Sequence, residues 1–255
     1  METAFKRLLE IRKKKGAGYF VLLDPDNYPL EKVAEHVQQM AACGVDAILV
    51  GGSLLFDSRF DAFVKTVREN TDLPVIIFPG SSRQISAHAS AILFLSLISG
   101  RNSNYLIGEQ VIAAPIIRML HLEAISTGYV LVESGKTTTV EYLSGTRPIP
   151  RDKPEIAVAH ALAAQYLGMK MLYFEAGSGA QYSIPAEMIQ AVAKEVDIPL
   201  VVGGGIRKPA EASEKVEAGA AFVVTGNVLE RTKDPEQVKA FAEAVHRAGA
   251  RKIGN

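Results

Sequence analysis

Eight short apolar runs punctuate the chain from end to end: Tyr19–Leu23, Ala47–Val50, Val75–Phe78, Ala91–Leu95, Tyr129–Val132, Met171–Phe174, Leu200–Val202 and Ala221–Val224. Hydrophobicity within each run is continuous rather than alternating, the pattern of parallel strands buried on both faces. Most intervals between runs carry helical periodicity. Leu30, Val33, Val37 and Met40 keep one face apolar, and Gly44 stands where a C-terminal cap is wanted, a device repeated at Gly168 and Gly219. Asp234-Pro235-Glu236-Gln237 offers the last helix an N-cap, a first-turn proline and a capping-box glutamine. No linker-like or low-complexity stretch interrupts the alternation, which predicts a single domain over residues 1–255, an α/β fold of the (β/α)8 TIM-barrel class.

Two intervals depart from the pattern. Only the residues from Pro79 to Ser90 separate the third run from the fourth, too few for a loop, a helix and a second loop. The third helix is therefore expected to be missing or cut to a turn, leaving an apolar flank of the barrel open as a groove. The stretch from Glu133 to Pro154 is the opposite case, long and polar, and suits a β-hairpin or a lid.

Lys+Arg and Asp+Glu both number 28, so no global field draws the chain to nucleic acid or to an anionic membrane, and any anion site must be local. The single cysteine, Cys43, excludes an intramolecular disulfide and suits a reducing cytosol; its size suits a core position. No secretory h-region opens the chain, and the longest apolar stretch falls well short of the ~20 residues of a membrane span. The expectation is a cytoplasmic protein with at most transient membrane contact.

Function in such a barrel belongs at the C-terminal ends of the strands. Here the sixth strand runs into Glu175-Ala176-Gly177-Ser178-Gly179, the seventh into Gly203-Gly204-Gly205 and the eighth into Thr225-Gly226-Asn227. Glycine-rich loops after strands seven and eight are the usual phosphate site of this fold, because glycine lets backbone N–H groups approach an anion. Strand alternation puts Tyr173 and Glu175 on one side and Phe174 on the other. If Tyr173 and Glu175 face inward, Glu175 stands beside the phosphate loops as a general base, or else as a salt-bridged interior carboxylate. Asp24, after the first strand, either caps the next helix or joins the Ser53 hydroxyl in holding Mg2+, which favours oxygen ligands. Asp26 is expected to cap the next helix or to be solvated. Arg207 forms an ion pair or touches substrate. Lys13-Lys14-Lys15 reads as a solvated run with a role near an anion left open, and the histidines show no metal-ligand spacing.

Tyr-Phe-Glu-Ala-Gly-Ser-Gly-Ala (173–180), Gly-Gly-Gly-Ile-Arg (203–207), Thr-Gly-Asn (225–227), Leu-Leu-Asp-Pro-Asp (22–26) and Gly-Gly-Ser (51–53) together resemble the geranylgeranylglyceryl phosphate synthase family. Ser-Gly-Arg-Asn (99–102), Ala-Ala-Pro (113–115) and Thr-Arg-Pro-Ile-Pro (146–150) extend the resemblance to nearly the whole chain, nearer the longer archaeal-type group than the bacterial heptaprenyl branch. The resemblance implies transfer of a geranylgeranyl group from its diphosphate to the sn-3 hydroxyl of sn-glycerol 1-phosphate, with Mg2+ as cofactor. It assigns the metal to Asp24 and Ser53, and the glycerol phosphate to Tyr173, Phe174, Glu175, Ala176, Gly177, Ser178, Gly179, Gly203, Gly204, Gly205, Gly226 and Asn227. Glu175 would take the hydroxyl proton. The competing expectations are another phosphate-binding barrel enzyme, such as a sugar-phosphate isomerase or an indole- or imidazole-forming enzyme, and a non-catalytic phospholipid or phosphosugar binder. Apolar positions on the outer helices suit a homo-oligomer.

Overall fold

The computed structural model describes residues 2–56, 59–226 and 234–254. Eight parallel strands form its centre: β1 (Gly18–Leu23), β2 (Ala47–Val50), β3 (Val75–Ile77), β4 (Ala91–Leu97), β5 (Glu123–Leu131), β6 (Met171–Glu175), β7 (Leu200–Gly203) and β8 (Phe222–Thr225). They pair in sequence order, and β1 bonds both β2 and β8, so the barrel closes. Around it lie α1 (Ala4–Lys15), α2 (Leu30–Ala42), α3 (Phe60–Glu69), α4 (Glu109–Met119), α5 (Thr139–Ser144), α6 (Pro154–Tyr166), α7 (Ala186–Glu195), α8 (Pro209–Ala218) and α9 (Pro235–Ile253).

The expected barrel is present, and so is the expected gap. Residues 79–90 hold no helix. β5 starts much earlier than its apolar run suggested, because Glu123, Ser126, Thr127 and Gly128 break the hydrophobic signal. Each polar group has a local reason. The Glu123 carboxylate accepts the Ala4 N–H at 2.6 Å, closing the N-terminus of α1, and the Thr127 hydroxyl donates to Ile125 O at 2.8 Å. The 133–154 stretch forms no hairpin. Ile149 pairs in parallel with Val132, and the chain between them rises into the short helix α5.

Two apolar layers divide the core. Outward-facing strand residues such as Val21, Ile48, Phe174 and Val202 pack against the helices. Inward-facing residues fill the barrel, and Ala4 and Leu8 of α1 join them, so α1 plugs the bottom. Phe20 and Phe222 stack inside the barrel with centroids 4.7 Å apart. At the upper end Phe78, Tyr129 and Tyr173 make an aromatic floor, Phe78 lying 4.7 Å from Tyr173 and Tyr129 5.7 Å from it. Leu8 is fully buried, so truncation to alanine would open a cavity costing about 2–5 kcal/mol.

One polar cluster pins the bottom. Asp46, at the entry of β2, accepts the Tyr19 N–H at 2.8 Å, Lys15 Nζ at 2.6 Å and His246 Nε2 at 2.7 Å. Thus Lys15 of the basic run is an ion-pair partner rather than a solvated charge. Burial alone would raise the Asp46 pKa, but hydrogen bonds from His246 and Lys15 outweigh it and hold the carboxyl below its usual range. A depressed folded pKa adds stability above the unfolded value and loses it as pH falls through the folded one. Asp46→Ala is expected to lower unfolding free energy by about 1–3 kcal/mol at pH 7, since it leaves the buried Tyr19 N–H without its acceptor and removes the partner of Lys15 and His246. In urea titrations the deficit should begin to shrink below about pH 4, where the unfolded chain's aspartate binds its proton, and go on shrinking as pH falls through the lower folded value.

Candidate active site at the barrel mouth

A cavity of about 660 Å3 opens at the C-terminal ends of the strands. Its polar end is bordered by Asp24, Ser53, Ser178, the glycines at 204–205 and Gly226. Its apolar branch passes over Phe78 and out across the outer face of β4, where Ile92 and Phe94 meet Ile85, Ala113 and Ile117. That branch occupies the place of the missing third helix. Helix α5 overhangs the mouth, contributing Val140 and Leu143.

The segment 79–90 is fastened so that the branch stays open. Buried Gln84 donates to Gly52 O at 2.8 Å and accepts the Gly80 N–H at 3.2 Å. Glu109, in the first turn of α4, accepts the Ser82 N–H at 2.7 Å and the Asn104 amide at 3.2 Å. The Ser86 hydroxyl donates to Asp61 at 2.6 Å. Gln84 and Glu109 carry no motif signature, and no periodicity or spacing marks either.

Glu175 is the chemical centre. It faces inward as strand alternation predicted, 7% exposed and beside Tyr173. Among the described residues no Lys, Arg or His pairs with it, which leaves the salt-bridged alternative without support there. Its Oε1 accepts the Gly177 N–H at 2.6 Å. Burial drives its pKa up to about 7, and the N–H groups of Gly177 and Ala176 with the nearby Tyr173 hydroxyl offset only part of that rise. The Tyr173 hydroxyl is buried beside Glu175, and among the described residues it makes no well-aligned hydrogen bond. The loops that hold the carboxylate require glycine. Gly177 sits at φ +96° with Thr138 packed where a side chain would go, and a Cβ at Gly204 (φ +81°) would collide with Glu175 Oε1.

Across the mouth, Asp24 starts a 3-10 turn over Pro25–Asn27 and accepts the Asp26 N–H at 3.1 Å. Capping does not consume it, because the carboxylate also borders the cavity above Gly52. Burial raises its pKa, the Asp26 N–H lowers it, and the Asp26 charge raises it again. Asp24 has no cationic partner among the described residues. Asp26 does not cap α2; it accepts the Phe56 N–H at 2.9 Å and ties the first loop to the second.

The structure sorts the remaining expected residues. Tyr173, Glu175, Ser178, Gly179, Gly204, Gly205 and Gly226 border the cavity. Phe174 and Ala176 do not: both side chains turn into the layer beneath the helices, so only their backbone remains near the mouth. Gly177 and Gly203 act through the backbone that encloses Glu175. Asn227 lies outside the described residues. Among the described residues the Arg207 guanidinium makes no ion pair, and it donates to Ala180 O at 2.6 Å and Gln181 O at 2.9 Å.

Comparison with known proteins places this geometry among relatives. Residues 9–245 match the model of the PcrB family. A geranylgeranylglyceryl phosphate synthase of Chitinophaga pinensis is 45% identical over 238 residues, 93% of this chain and 94% of the relative. One from Thermococcus gammatolerans is 43% identical, over 94% of this chain and 95% of its own. The crystal structure of (S)-3-O-geranylgeranylglyceryl phosphate synthase from Thermoplasma acidophilum, in complex with its substrate sn-glycerol-1-phosphate, superposes with a TM-score of 0.91. That protein is 38% identical to this one, and the match covers 97% of this chain and 100% of the other.

A carboxyl whose folded pKa lies above its unfolded value of 4.5 costs stability progressively as pH rises from about 4.5 to about 7. Glu175→Gln removes that titration. Its stability relative to wild type should therefore climb by about 3 kcal/mol between pH 4.5 and pH 8. Denaturant titrations of both proteins at the two pH values check this, and a pH-independent difference would contradict the raised pKa.

Proposed function

The chain belongs to the PcrB family, and on that premise we propose how its mouth acts as a geranylgeranylglyceryl phosphate synthase. The protein is a prenyltransferase that joins the geranylgeranyl group of its diphosphate to the sn-3 hydroxyl of sn-glycerol 1-phosphate. One observation carries the mechanism: a buried carboxylate with a pKa of about 7 stands where the polar end of the cavity meets its apolar branch.

The glycine loops after β6, β7 and β8 seat the phosphate of the acceptor on backbone N–H groups. The glycerol 3-hydroxyl then points toward Glu175, which accepts its proton as the oxygen attacks C1 of the prenyl group. The C1–O bond to diphosphate breaks, its electron pair leaves with diphosphate, and the new C–O bond is the ether. The apolar branch over β4 holds the prenyl tail dry, and the seating of both partners turns an encounter into an oriented reaction. A half-buried carboxylate without a cationic partner, opposite the Ser53 hydroxyl, suits Mg2+, which commonly takes one or two carboxylates together with substrate phosphates. When bound by Asp24 and Ser53, Mg2+ supplies charge neutralisation to the departing diphosphate.

The outer face of α4 supports a homo-oligomer. Val111, Ile112, Ile116 and Met119 are exposed there, while Ala113 and Ile117 face inward, so the helix is apolar on both sides. The face is nearly symmetric about Pro115: an antiparallel second copy would lay Val111 on Met119 and Ala114 on Ile116, the self-match a two-fold interface needs. The unpaired Cys43 supports a cytoplasmic location, and no helix among the described residues is long and apolar enough to cross a membrane.

Steady-state rates should show kcat/KM rising with pH to a plateau above about 7, the acid limb of Glu175. Glu175→Gln should lose about 10²–10⁴-fold in kcat with little change in either KM. Comparable turnover by the variant would remove Glu175 as the base. In sedimentation experiments wild type should run as a dimer or larger and Val111→Glu, which sets a carboxylate against Met119, as a monomer; a monomeric wild type would refute the α4 interface.

A further inference from the structure

Glycerol phosphate brings about two negative charges into a mouth that is already acidic. The described residues bordering the cavity include three carboxylates, Asp24, Glu109 and Glu175, and two cations, Lys136 and Arg207. Arg207 is committed, because its guanidinium holds the carbonyls of Ala180 and Gln181. Lys136 is not: its ammonium makes no hydrogen bond or ion pair with any of the described residues. It lies 3.8 Å from where a side chain on Gly179 would begin, on the glycine loop after β6.

The backbone beneath Lys136 is fixed on that side of the mouth. Ser134 O accepts the N–H groups of both Gln181 and Tyr182 at 3.0 Å. The Ser134 hydroxyl donates to Lys136 O at 3.1 Å, and buried Thr138 packs on Gly177. The segment is therefore strapped to the loop that encloses Glu175, while Asp24 lies on the loop after β1. We propose that Lys136 is a substrate-binding residue whose ammonium pairs with the phosphate of the glycerol phosphate acceptor, and not with the prenyl diphosphate. This deepens the assignment above and rests on it. Backbone N–H groups supply direction but only partial charge, whereas a lysine supplies the full positive charge that a phosphate monoester needs. As Lys136 also leads into α5, a bound phosphate would hold the overhanging helix against the mouth.

The test is steady-state kinetics of wild type, Lys136→Gln and Lys136→Arg, varying each substrate in turn. Lys136→Gln should raise KM for sn-glycerol 1-phosphate about tenfold or more, leaving kcat and KM for geranylgeranyl diphosphate within about twofold. Lys136→Arg should recover most of the loss, and the salt dependence of the acceptor KM should flatten in Lys136→Gln. An unchanged acceptor KM, or a rise confined to the diphosphate, overturns the proposal. Wild type that turns over nothing would instead sink the prenyltransferase assignment. Calorimetric titration with sn-glycerol 1-phosphate then still decides Lys136: weaker binding by Lys136→Gln upholds its role, and equal binding, or none by wild type, refutes it. The side chain is exposed, so thermal melts of the three proteins should coincide.

Discussion

The hydrogen bond from the Gly177 N–H to Glu175 Oε1, 2.6 Å long inside a closed barrel, is the contact on which the rest of the mouth depends. It holds a carboxylate that burial would otherwise render an inert acid, and it stops the pKa near 7 instead of letting desolvation drive it further. Everything around it is arranged to permit that one geometry. Gly177 needs a left-handed φ, Gly204 needs the absence of a side chain, and Thr138 closes the loop from above. A base with a pKa near the working pH is the most effective kind, and Glu175, the base proposed above, would obtain it at a cost in stability.

The second constraint is the missing helix. A standard barrel places a helix between each pair of strands, but here none lies between β3 and β4, and outward-facing Ile92 and Phe94 border a cavity between themselves and α4. An uncovered apolar strand invites collapse or aggregation. Gln84 and Glu109 prevent it by suspending residues 79–90 between the second loop and α4, so the gap is walled but not filled. The polar and apolar halves of the cavity thus arise from different devices, glycine loops on one side and a deleted helix on the other. Glu175 stands where they meet, as a reaction between a phosphorylated polyol and a long isoprenoid requires.

Much of this was legible in the residues. Strand positions followed from continuous apolar runs, the absent helix from the short interval before Ala91, and the inward set of Glu175 from alternation along β6. What escaped has physical causes. The early half of β5 was hidden because its polar residues serve local bonds, such as Glu123 on the N-terminus of α1. Asp46 and Lys15 meet only when the barrel closes, and nothing local marks them. Phe174 and Ala176 share a motif with Glu175 but not its face of the strand, so their side chains pack beneath the helices and only their backbone stands near the mouth. Lys136 sat in a polar stretch that offered no periodicity, and only the strap through Ser134 brings it to the mouth.

The most direct test is chemical. Purified protein incubated with Mg2+, sn-glycerol 1-phosphate and a mixture of C15, C20 and C35 prenyl diphosphates should yield a C20 ether at the sn-3 oxygen, identified by mass spectrometry, and EDTA should abolish it. Absence of any ether lipid from folded protein would contradict the account, and a C35 product would keep the chemistry while refuting the geranylgeranyl assignment.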